Sequence, residues 1–188
     1  MKITIASKKH IKYCDIISKT ISSSAEVRGT GIALRSAEYI RTKIENNNGV
    51  IATNNGEFAG FCYIEIWGHG KYVAHSGLIV SPKYRGKGLA KKIKTLTFNH
   101  SKDKYPKAKI FGITTGLPVM KINYELGYKP VTFSELTDDN EFWKGCSTCK
   151  NYDVLLRTNK EMCLCTGMLY DPKNKELWKK LYWLTVEV

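Results

Sequence analysis

One stretch near the middle of the chain constrains the fold more than any other. An apolar run over residues 78–80 ends before Pro82 and is followed by a basic loop that contains Gly86 and Gly88. Apolar residues at helical spacing begin at Leu89. The start of a helix presents backbone N–H groups and the positive end of the helix dipole, and glycine lets a ligand approach the backbone. The stretch therefore predicts a strand, an anion-binding loop and a helix in succession.

The loop departs from the two common nucleotide-binding patterns. No Gly-Lys-Ser/Thr sequence closes it, as a P-loop requires, and Gly86-x-Gly88 lacks the third glycine of the dinucleotide fingerprint. A tight strand-to-helix turn with solvated lysines is the simplest alternative. Residues 85–90, Arg-Gly-Lys-Gly-Leu-Ala, instead resemble the Arg/Gln-x-x-Gly-x-Gly/Ala signature of the GNAT family of CoA-dependent N-acyltransferases.

This resemblance implies acetyl-CoA as the cosubstrate. In the family, the loop amides hold the CoA pyrophosphate, and the backbone of the preceding strand pairs with the pantetheine arm. Carried onto this sequence, the resemblance implies nine cofactor-binding residues, which are Leu78, Ile79, Val80, Arg85, Gly86, Lys87, Gly88, Leu89 and Ala90.

The order of the predicted elements is α+β. A strand and a helix open the chain, a second helix is capped by Ser36, a three-strand meander covers residues 50–80, and a helix then leads to a strand at residues 108–114. The strands that end at Val80 and Thr114 are expected to be parallel neighbours, because a helix connects them. The same order is that of the GNAT fold, a mixed three-layer α/β/α arrangement whose mainly antiparallel sheet is splayed at two parallel strands.

The composition fits a single folded domain. The chain has 188 residues, of which 43% are hydrophobic. Residues 1–135 are expected to form the GNAT core, and residues 136–188 to complete the sheet in the same domain. The last segment carries a cysteine cluster and a terminal helical pattern that packs on the domain or, alternatively, forms a homodimer contact. The pattern comprises Leu177, Trp178, Leu181 and Leu184.

The charge limits the partners without selecting one. A net charge of +13 favours anions, which include CoA phosphates, carboxylate substrates, nucleic acid and acidic membranes. Nucleic acid is disfavoured, because the lysines are spread along the chain and no RNA- or DNA-binding motif stands out. The sequence shows no apolar run of membrane-spanning length and no signal peptide, so we expect a cytoplasmic protein without membrane association.

A narrower resemblance points to the acceptor. Residues 34–40, 113–115 and 126–131 are similar to the acetyltransferase domain of N-acetylglutamate synthases. That similarity implies an acidic amino acid as acceptor, most simply glutamate, and a role in arginine biosynthesis. Arginine binds carboxylates through its planar fork, so Arg28 and Arg35 are candidate substrate anchors, with surface charge as the alternative. Thr114 and Thr115 are candidates across the cleft, with strand termination as the alternative.

The expected catalytic residues of the family are missing. Many GNAT enzymes use a glutamate on the strand before the CoA loop as base and a tyrosine four residues before a later glycine as acid, and these positions hold Ala74 and Asn123. Tyr124 is adjacent to the second position but is expected on another face of the helix, because neighbouring residues are about 100° apart.

A mechanism without the tyrosine is therefore predicted. A backbone N–H near Val80 would polarise the thioester carbonyl, and the proton would pass through water to Glu65 or His75. A surface or hydrogen-bonded structural role is the alternative for each of these two residues.

Four late cysteines form a second candidate site. Cys146 and Cys149 have Cys-x-x-Cys spacing, Cys163 and Cys165 have Cys-x-Cys spacing, and residues 151–157 between the pairs have a strand pattern. The spacing suggests a structural zinc site. Reduced core thiols and a redox pair are alternatives, whereas disulfides are disfavoured in the cytoplasm.

Three functions are compatible with these features. The first is an N-acetyltransferase for glutamate or a related acidic amino acid. The second is a GNAT acetyltransferase for a peptide, a protein or another small amine. The third, from another class, is a basic zinc-bearing nucleic-acid-binding module, which would leave the CoA loop unexplained.

Overall fold

The structure is a computed structural model and describes residues 1–28 and 34–174. Seven strands form one sheet in the order β1-β2-β3-β4-β5-β7-β6. The strands are β1 (Lys2–Ile5), β2 (Gly49–Asn54), β3 (Glu57–Trp67), β4 (Tyr72–Val80), β5 (Lys109–Thr114), β6 (Lys129–Val131) and β7 (Thr166–Tyr170). The helices are α1 (Cys14–Arg28), α2 (Ala37–Glu45), α3 (Leu89–Lys104), α4 (Leu117–Glu125), α5 (Asn140–Lys144) and α6 (Tyr152–Arg157).

The sheet is splayed between β4 and β5, which form its one parallel pair in the described chain. They are registered over three residues each, and Ala74 opposite Phe111 is the last pair. Beyond it β4 runs on to Val80, paired with β3 on its other edge, and β5 runs on to Thr114, paired with β7. The facing edges of the two strands are therefore unpaired along a gap, as the prediction of the fold requires. The predicted α+β class with a mainly antiparallel, splayed sheet is confirmed.

Helices cover both faces of the sheet. α1 and α2 bury Ile17, Ile21, Ile40 and Ile44 against one face, on the side of Phe61 and Tyr63. α3 buries Leu89 and Ile93 against the other face, beside Cys62. Because successive strand residues point to opposite faces, the side chains of β3 alternate between these two cores. Tyr63 and Glu65 thus share the face of α1 and α2.

A bulge in β4 lies beside the gap. Phe61 pairs with Ile79 and Tyr63 with Ser76, so β4 has one more residue than β3 over this interval. Gly77 within the bulge has φ +62°, and a Cβ there would overlap the ring of Tyr63. Glycine is therefore required for the close approach of the two strands.

The C-terminal segment differs from the prediction at one point. The predicted strand over residues 151–157 is wrong, since these residues form α6, which buries Leu155. Asp153 and Arg157 lie toward solvent, so the apolar residues that suggested a strand form a short amphipathic turn. The terminal helical pattern at residues 177–184, and with it the predicted homodimer contact, lies outside the described residues. None of the helices in the described ranges is long and apolar enough to cross a bilayer.

Candidate active site

A cavity of about 400 Å³ opens where β4 and β5 part. Its walls come from β3, β4, β5 and α2, and the C-terminal segment around α5 and α6 closes one side. Leu78 and Ile79, two of the predicted CoA-contacting residues, line it. The unpaired edge of a strand offers backbone N–H and C=O groups to an extended ligand, as in the addition of a peptide strand to a sheet.

The glycine loop follows β4, the strand whose residues Leu78 and Ile79 line this cavity. Gly86 and Gly88 have φ +75° and +71°, and space is open where a Cβ would be at either residue. Gly88 is the N-cap of α3, and the first amides of a helix have no partner within it. Lys87 is exposed, whereas Leu89 is buried beneath the loop. The loop therefore has the open backbone and charge that a pyrophosphate requires.

Arg85 has a different position from the one that its charge alone suggests. Its Nε donates to the carbonyl oxygen of Val80 at 3.0 Å, and its Nη2 donates to Ser24 Oγ of α1 at 3.3 Å. The side chain thus ties the loop to the end of β4 and to α1. The sequence indicated a phosphate ligand at this position but gave no signal for this bracing contact.

Arg35 lines the cavity just before the start of α2. Its Nε donates to the Tyr63 hydroxyl at 2.8 Å, and its Nη1 donates to the carbonyl oxygen of Leu34 at 3.0 Å. Its Nη2 is 3.6 Å from the place of a Cβ on Gly145, at the end of α5. Burial alone would lower the pKa of Arg35, but Tyr63, Tyr39 and Glu65 raise it above its ordinary value. The guanidinium is therefore charged and positioned beside the cavity.

Glu65 is held close to Arg35 on the same face of the sheet. It is 6% exposed, accepts a hydrogen bond from the Tyr39 hydroxyl and pairs with Lys43 Nζ at 3.3 Å. Burial and the charge of Glu65 raise the pKa of Tyr39, so this hydroxyl keeps its proton and donates. Glu65 is paired across the strands with Ala74, so its carboxylate lies one strand away from the position where the family places its base.

Sequence reasoning missed the contacts that hold Arg35 and Glu65 in place, since it treated Lys43 only as a less favoured substrate anchor. The side chains that make these contacts are Tyr39, Lys43 and Tyr63. Arg35, Tyr39 and Lys43 are spaced four residues apart, so they share one side of α2 and its N-terminal approach. Lys43 Nζ lies 4.3 Å from the centroid of the Tyr39 ring. That spacing was the available signal, whereas the contribution of Tyr63 depends on strand register.

His75 also borders the cavity, but both of its ring nitrogens are engaged. Nε2 lies 2.8 Å from Ser101 Oγ, and Nδ1 lies 3.1 Å from the Tyr128 hydroxyl. Burial, with the charges of Lys94 and His100, lowers the pKa of His75 well below its ordinary value. His75 is thus a neutral, hydrogen-bonded residue with no nitrogen free for an acceptor amine.

The other residues that the sequence analysis considered differ in whether they line the cavity. Thr114 and Thr115 both line the cavity, but the Thr114 hydroxyl accepts a hydrogen bond from the Gly116 N–H at 3.0 Å and so belongs to the turn before α4. Asn123 lines the cavity, while Tyr124 is exposed. The side chain of Arg28 lies outside the described part of the structure.

The four late cysteines line the cavity too, on the side of α5 and α6. Burial and the neighbouring thiols raise the pKa of Cys146 to about 11 and that of Cys165 to about 12. Zinc requires thiolates in tetrahedral positions, and no group of three or more metal-ligating side chains with suitable geometry exists in residues 1–28 and 34–174. The prediction of a structural zinc on Cys146, Cys149, Cys163 and Cys165 is therefore not supported.

Comparison with known proteins gives the family. Residues 21–111 match the model of the acetyltransferase (GNAT) family, while none of the curated proteins matches the sequence significantly. The fold is similar to that of N-acetylglutamate synthase from Neisseria gonorrhoeae in complex with CoA and N-acetylglutamate, with a TM-score of 0.64 and 16% identity. That similarity covers 90% of this chain and 34% of the synthase chain, so this chain spans about a third of the synthase's length.

Two further structures cover most of both chains. A CoA-bound protein from Mycobacterium tuberculosis has a TM-score of 0.65 at 12% identity and covers 91% of this chain and 99% of its own. Phosphinothricin acetyltransferase from Sinorhizobium meliloti, bound to acetyl-CoA, has a TM-score of 0.59 at 12% identity and covers 90% and 87%. The family match over residues 21–111 favours an acetyltransferase over a nucleic-acid-binding module. The family match over residues 21–111, together with the sheet that parts ahead of a glycine loop, identifies a GNAT acetyltransferase domain in this chain.

Proposed function

We propose that this protein transfers the acetyl group of acetyl-CoA to the α-amino group of glutamate or a related acidic amino acid. One observation carries the proposal: a charged arginine and a buried carboxylate, Arg35 and Glu65, line the same cavity as Leu78 and Ile79 of β4, the strand that leads into the glycine loop. The arginine suits a carboxylate of the acceptor, and the glutamate suits its ammonium group.

The donor side would be bound mainly by backbone. The amides at the start of α3, with Lys87 beside them, face the pyrophosphate, and Arg85 keeps the loop in place against Val80. The unpaired edge of β4 from residue 75 to residue 80 would hold the pantetheine arm by hydrogen bonds. This arrangement binds the part of the cosubstrate that every acyl-CoA shares.

The acceptor side would be bound by charge. Nη2 of Arg35 makes no hydrogen bond to the described residues, and a guanidinium binds a carboxylate best through two parallel N–H groups. Phe142, Cys146 and Tyr152 close this side of the cavity, which favours a small acceptor over an extended peptide. An acidic amino acid satisfies both the charge and the size.

Glu65 would take the proton from the acceptor ammonium, directly or through one water. The freed amine attacks the thioester carbonyl, the new N–C bond forms and the C–S bond breaks. A backbone N–H of β4 near Val80 would polarise the carbonyl oxygen during attack. Tyr39 and Lys43 would orient the Glu65 carboxylate throughout, since both contact its Oε1 atom.

Release of free thiol from acetyl-CoA, measured across a panel of amines, tests the proposal. Glutamate should turn over fastest, glutamine and aspartate more slowly, and lysine and basic peptides least. Turnover of basic peptides with glutamate inert would refute the acidic acceptor and leave the acetyltransferase. Failure of CoA to stabilise the protein in a thermal melt would refute both.

The anchoring role of Arg35 has a matched control in α2, the helix that follows it. Arg35→Gln should raise the KM for glutamate by roughly tenfold or more, because hydrogen bonds to charged groups contribute about 1.5–3 kcal/mol. The KM for acetyl-CoA should be unchanged. Arg41→Gln removes an exposed arginine that pairs with Glu38 at 3.3 Å, and it should behave as the parent protein.

We also propose a cellular role for this activity. An enzyme that acetylates glutamate would act in arginine biosynthesis in the cytoplasm, as the resemblance to the synthases implies. Growth of a glutamate-acetylation-deficient bacterial strain without added arginine would test this extension, with the Arg35→Gln variant as the negative control.

A further inference from the structure

A buried lysine lies at the floor of the gap between β4 and β5. Lys94 of α3 is 2% exposed and lines the cavity. Its Nζ is 3.9 Å from the place of a Cβ on Gly112, and the same place is 3.4 Å from the carbonyl oxygen of His75. His75 and Gly112 are the first residues of the two strands after their last parallel pair. The ammonium therefore lies where the strands begin to part.

No acidic side chain neutralises this ammonium. Among the described residues, Lys94 forms no ion pair, and the titratable groups that face it are Cys62 on β3, His75 on β4 and Tyr128 before β6. Nζ lies 5.4 Å from the centroid of the Tyr128 ring. A buried charge without a counter-charge is costly, so such a group is retained where a ligand or a reaction uses it.

Tyr128 is not free to supply a proton to the cavity. Ser101 Oγ donates to the Thr97 carbonyl at 2.9 Å, so it accepts from His75 Nε2. His75 Nδ1 is then the unprotonated nitrogen and accepts from the Tyr128 hydroxyl at 3.1 Å. The tyrosine proton is committed to this chain of hydrogen bonds. Lys94 also bears protons beside the gap. In the described structure, no such hydrogen bond engages them.

Asn123 gives a second sign of a ligand here. It is 1% exposed and lines the same cavity, and its Oδ1 has no hydrogen-bond partner among the described residues. A buried acceptor without a partner indicates that a bound molecule donates to it, such as an amide N–H of the pantetheine arm. The Asn123 amide cannot itself act as an acid, although it occupies the position where many relatives have a tyrosine.

We propose that Lys94 is the general acid that protonates the sulfur of the departing CoA. The inference rests on the proposed acetyl transfer. As the C–S bond breaks, its electron pair stays on sulfur, and a proton passes from Lys94 Nζ to that sulfur. Lys94 becomes a neutral amine and takes a proton back from water. The acceptor nitrogen loses two protons, one to Glu65 before attack and a second to water as the tetrahedral adduct collapses to the amide. Both reach solvent and Lys94 recovers one, so one proton in net is released for each acetyl group transferred.

The properties of Lys94 suit this role. Burial lowers the pKa of Lys94 to about 8, close to the ordinary value of about 8.5 for a thiol. Proton transfer is efficient when donor and acceptor are matched near the working pH. An ammonium in a site with little water also stabilises a developing thiolate more than it would in bulk solvent.

Titration of the bound CoA thiol tests the inference without any acceptor. The ultraviolet absorbance of the thiolate, followed against pH, should show that wild-type protein lowers the pKa of the bound thiol relative to free CoA. Lys94→Met should remove that shift while CoA still stabilises the protein in a thermal melt. Lys102→Met, two turns further along α3, should titrate as wild type. Equal thiol titration in wild type and Lys94→Met would overturn the inference, and this outcome would leave the choice of acceptor unaffected.

Turnover provides the second test. Lys94→Met should lower kcat by roughly 10²-fold with little change in the KM for acetyl-CoA, and it should abolish the alkaline decline of kcat near about pH 8. Lys94→Arg keeps the charge but cannot release a proton in this range, so it should remain slow. Recovery of kcat in Lys94→Arg would show that charge alone suffices. A defect confined to acyl groups with a terminal carboxylate, such as succinyl-CoA, would make Lys94 a carboxylate anchor and also overturn the inference.

Discussion

The two ends of the cavity are built from the chain in opposite ways. The donor end comes from thirteen consecutive residues, Leu78 to Ala90, in which strand, loop and helix start follow one another. The acceptor end joins Arg35 and Tyr39, before and within α2, to Tyr63 and Glu65 of β3, with α5 and α6 closing it. A ligand shared by a family can be bound by local backbone geometry, whereas a particular acceptor requires side chains from distant parts of the chain.

Gly77 and Tyr63 connect the two ends. The bulge at Gly77 leaves room for the Tyr63 ring, and the Tyr63 hydroxyl accepts from Arg35. The backbone that would face the pantetheine arm and the side chain that would face the acceptor carboxylate thus depend on one contact. Four experiments, taken from the largest expected effect to the smallest, would break or sharpen this distinction between the two ends.

Glu65→Gln should separate catalysis at the acceptor end from binding at the donor end. The amide cannot accept a proton, so kcat should fall by roughly 10²- to 10³-fold while the KM for acetyl-CoA is unchanged. Steady-state thiol release gives both values. Lys43→Met is the matched control, because it removes the 3.3 Å ion pair and leaves the carboxylate. An equal loss in both variants would mean that the Lys43–Glu65 ion pair, and not proton acceptance by Glu65, carries the effect.

Arg85→Met should weaken the donor end alone. Without the contacts to Val80 and Ser24 the loop loses its brace, so the KM for acetyl-CoA should rise by roughly tenfold or more. The KM for the acceptor should stay constant. Lys87→Met removes an exposed charge and should have a smaller effect. Equal effects of the two substitutions would indicate that Arg85 acts through its charge and that the bracing contacts contribute little.

Gly77→Ala should destabilise the folded protein and so affect both ends of the cavity. The new Cβ would overlap Tyr63 at a backbone conformation with φ +62°, so the free energy of unfolding should fall by about 2 kcal/mol or more. Urea denaturation measures the change. Gly56→Ala is the comparison, since φ is +81° there and no atom lies within 4 Å of the new Cβ. A loss at Gly77 no larger than that at Gly56 would contradict the steric explanation.

Lys94 should make the free energy of unfolding depend on pH. Its pKa is lowered to about 8 in the folded protein, so above that value the unfolded chain binds more protons and folding becomes more favourable as the pH rises. Relative to Lys94→Met, wild type should gain on the order of 1–2 kcal/mol between about pH 8 and about pH 9.5. Urea unfolding at each pH measures this difference. Parallel stability curves for the two proteins would show that Lys94 keeps an ordinary pKa.

The predictions from sequence failed where a residue's meaning depends on its neighbours in space. His75 has the spacing of a strand residue beside the gap, yet Ser101 and Tyr128 engage both of its nitrogens. The cysteine spacing suggested a zinc site, but residues 151–157 form a helix and the described thiols have no ligand geometry. The burial of Lys94 follows from the sheet beneath α3, so the sequence of that helix gives no sign of it.

By itself the sequence determined the order of strands and helices around the loop, the fold class and the residues that we propose for the CoA end of the cavity. These depend on apolar periodicity and on glycines at fixed spacing, which act over a few consecutive residues. Only the tertiary structure decided that Glu65 meets Tyr39 and Lys43, that Arg35 rests on Tyr63, and that Lys94 lies beneath the parting strands. Strand register and helix packing bring such residues together, and no local pattern of the chain encodes those distances.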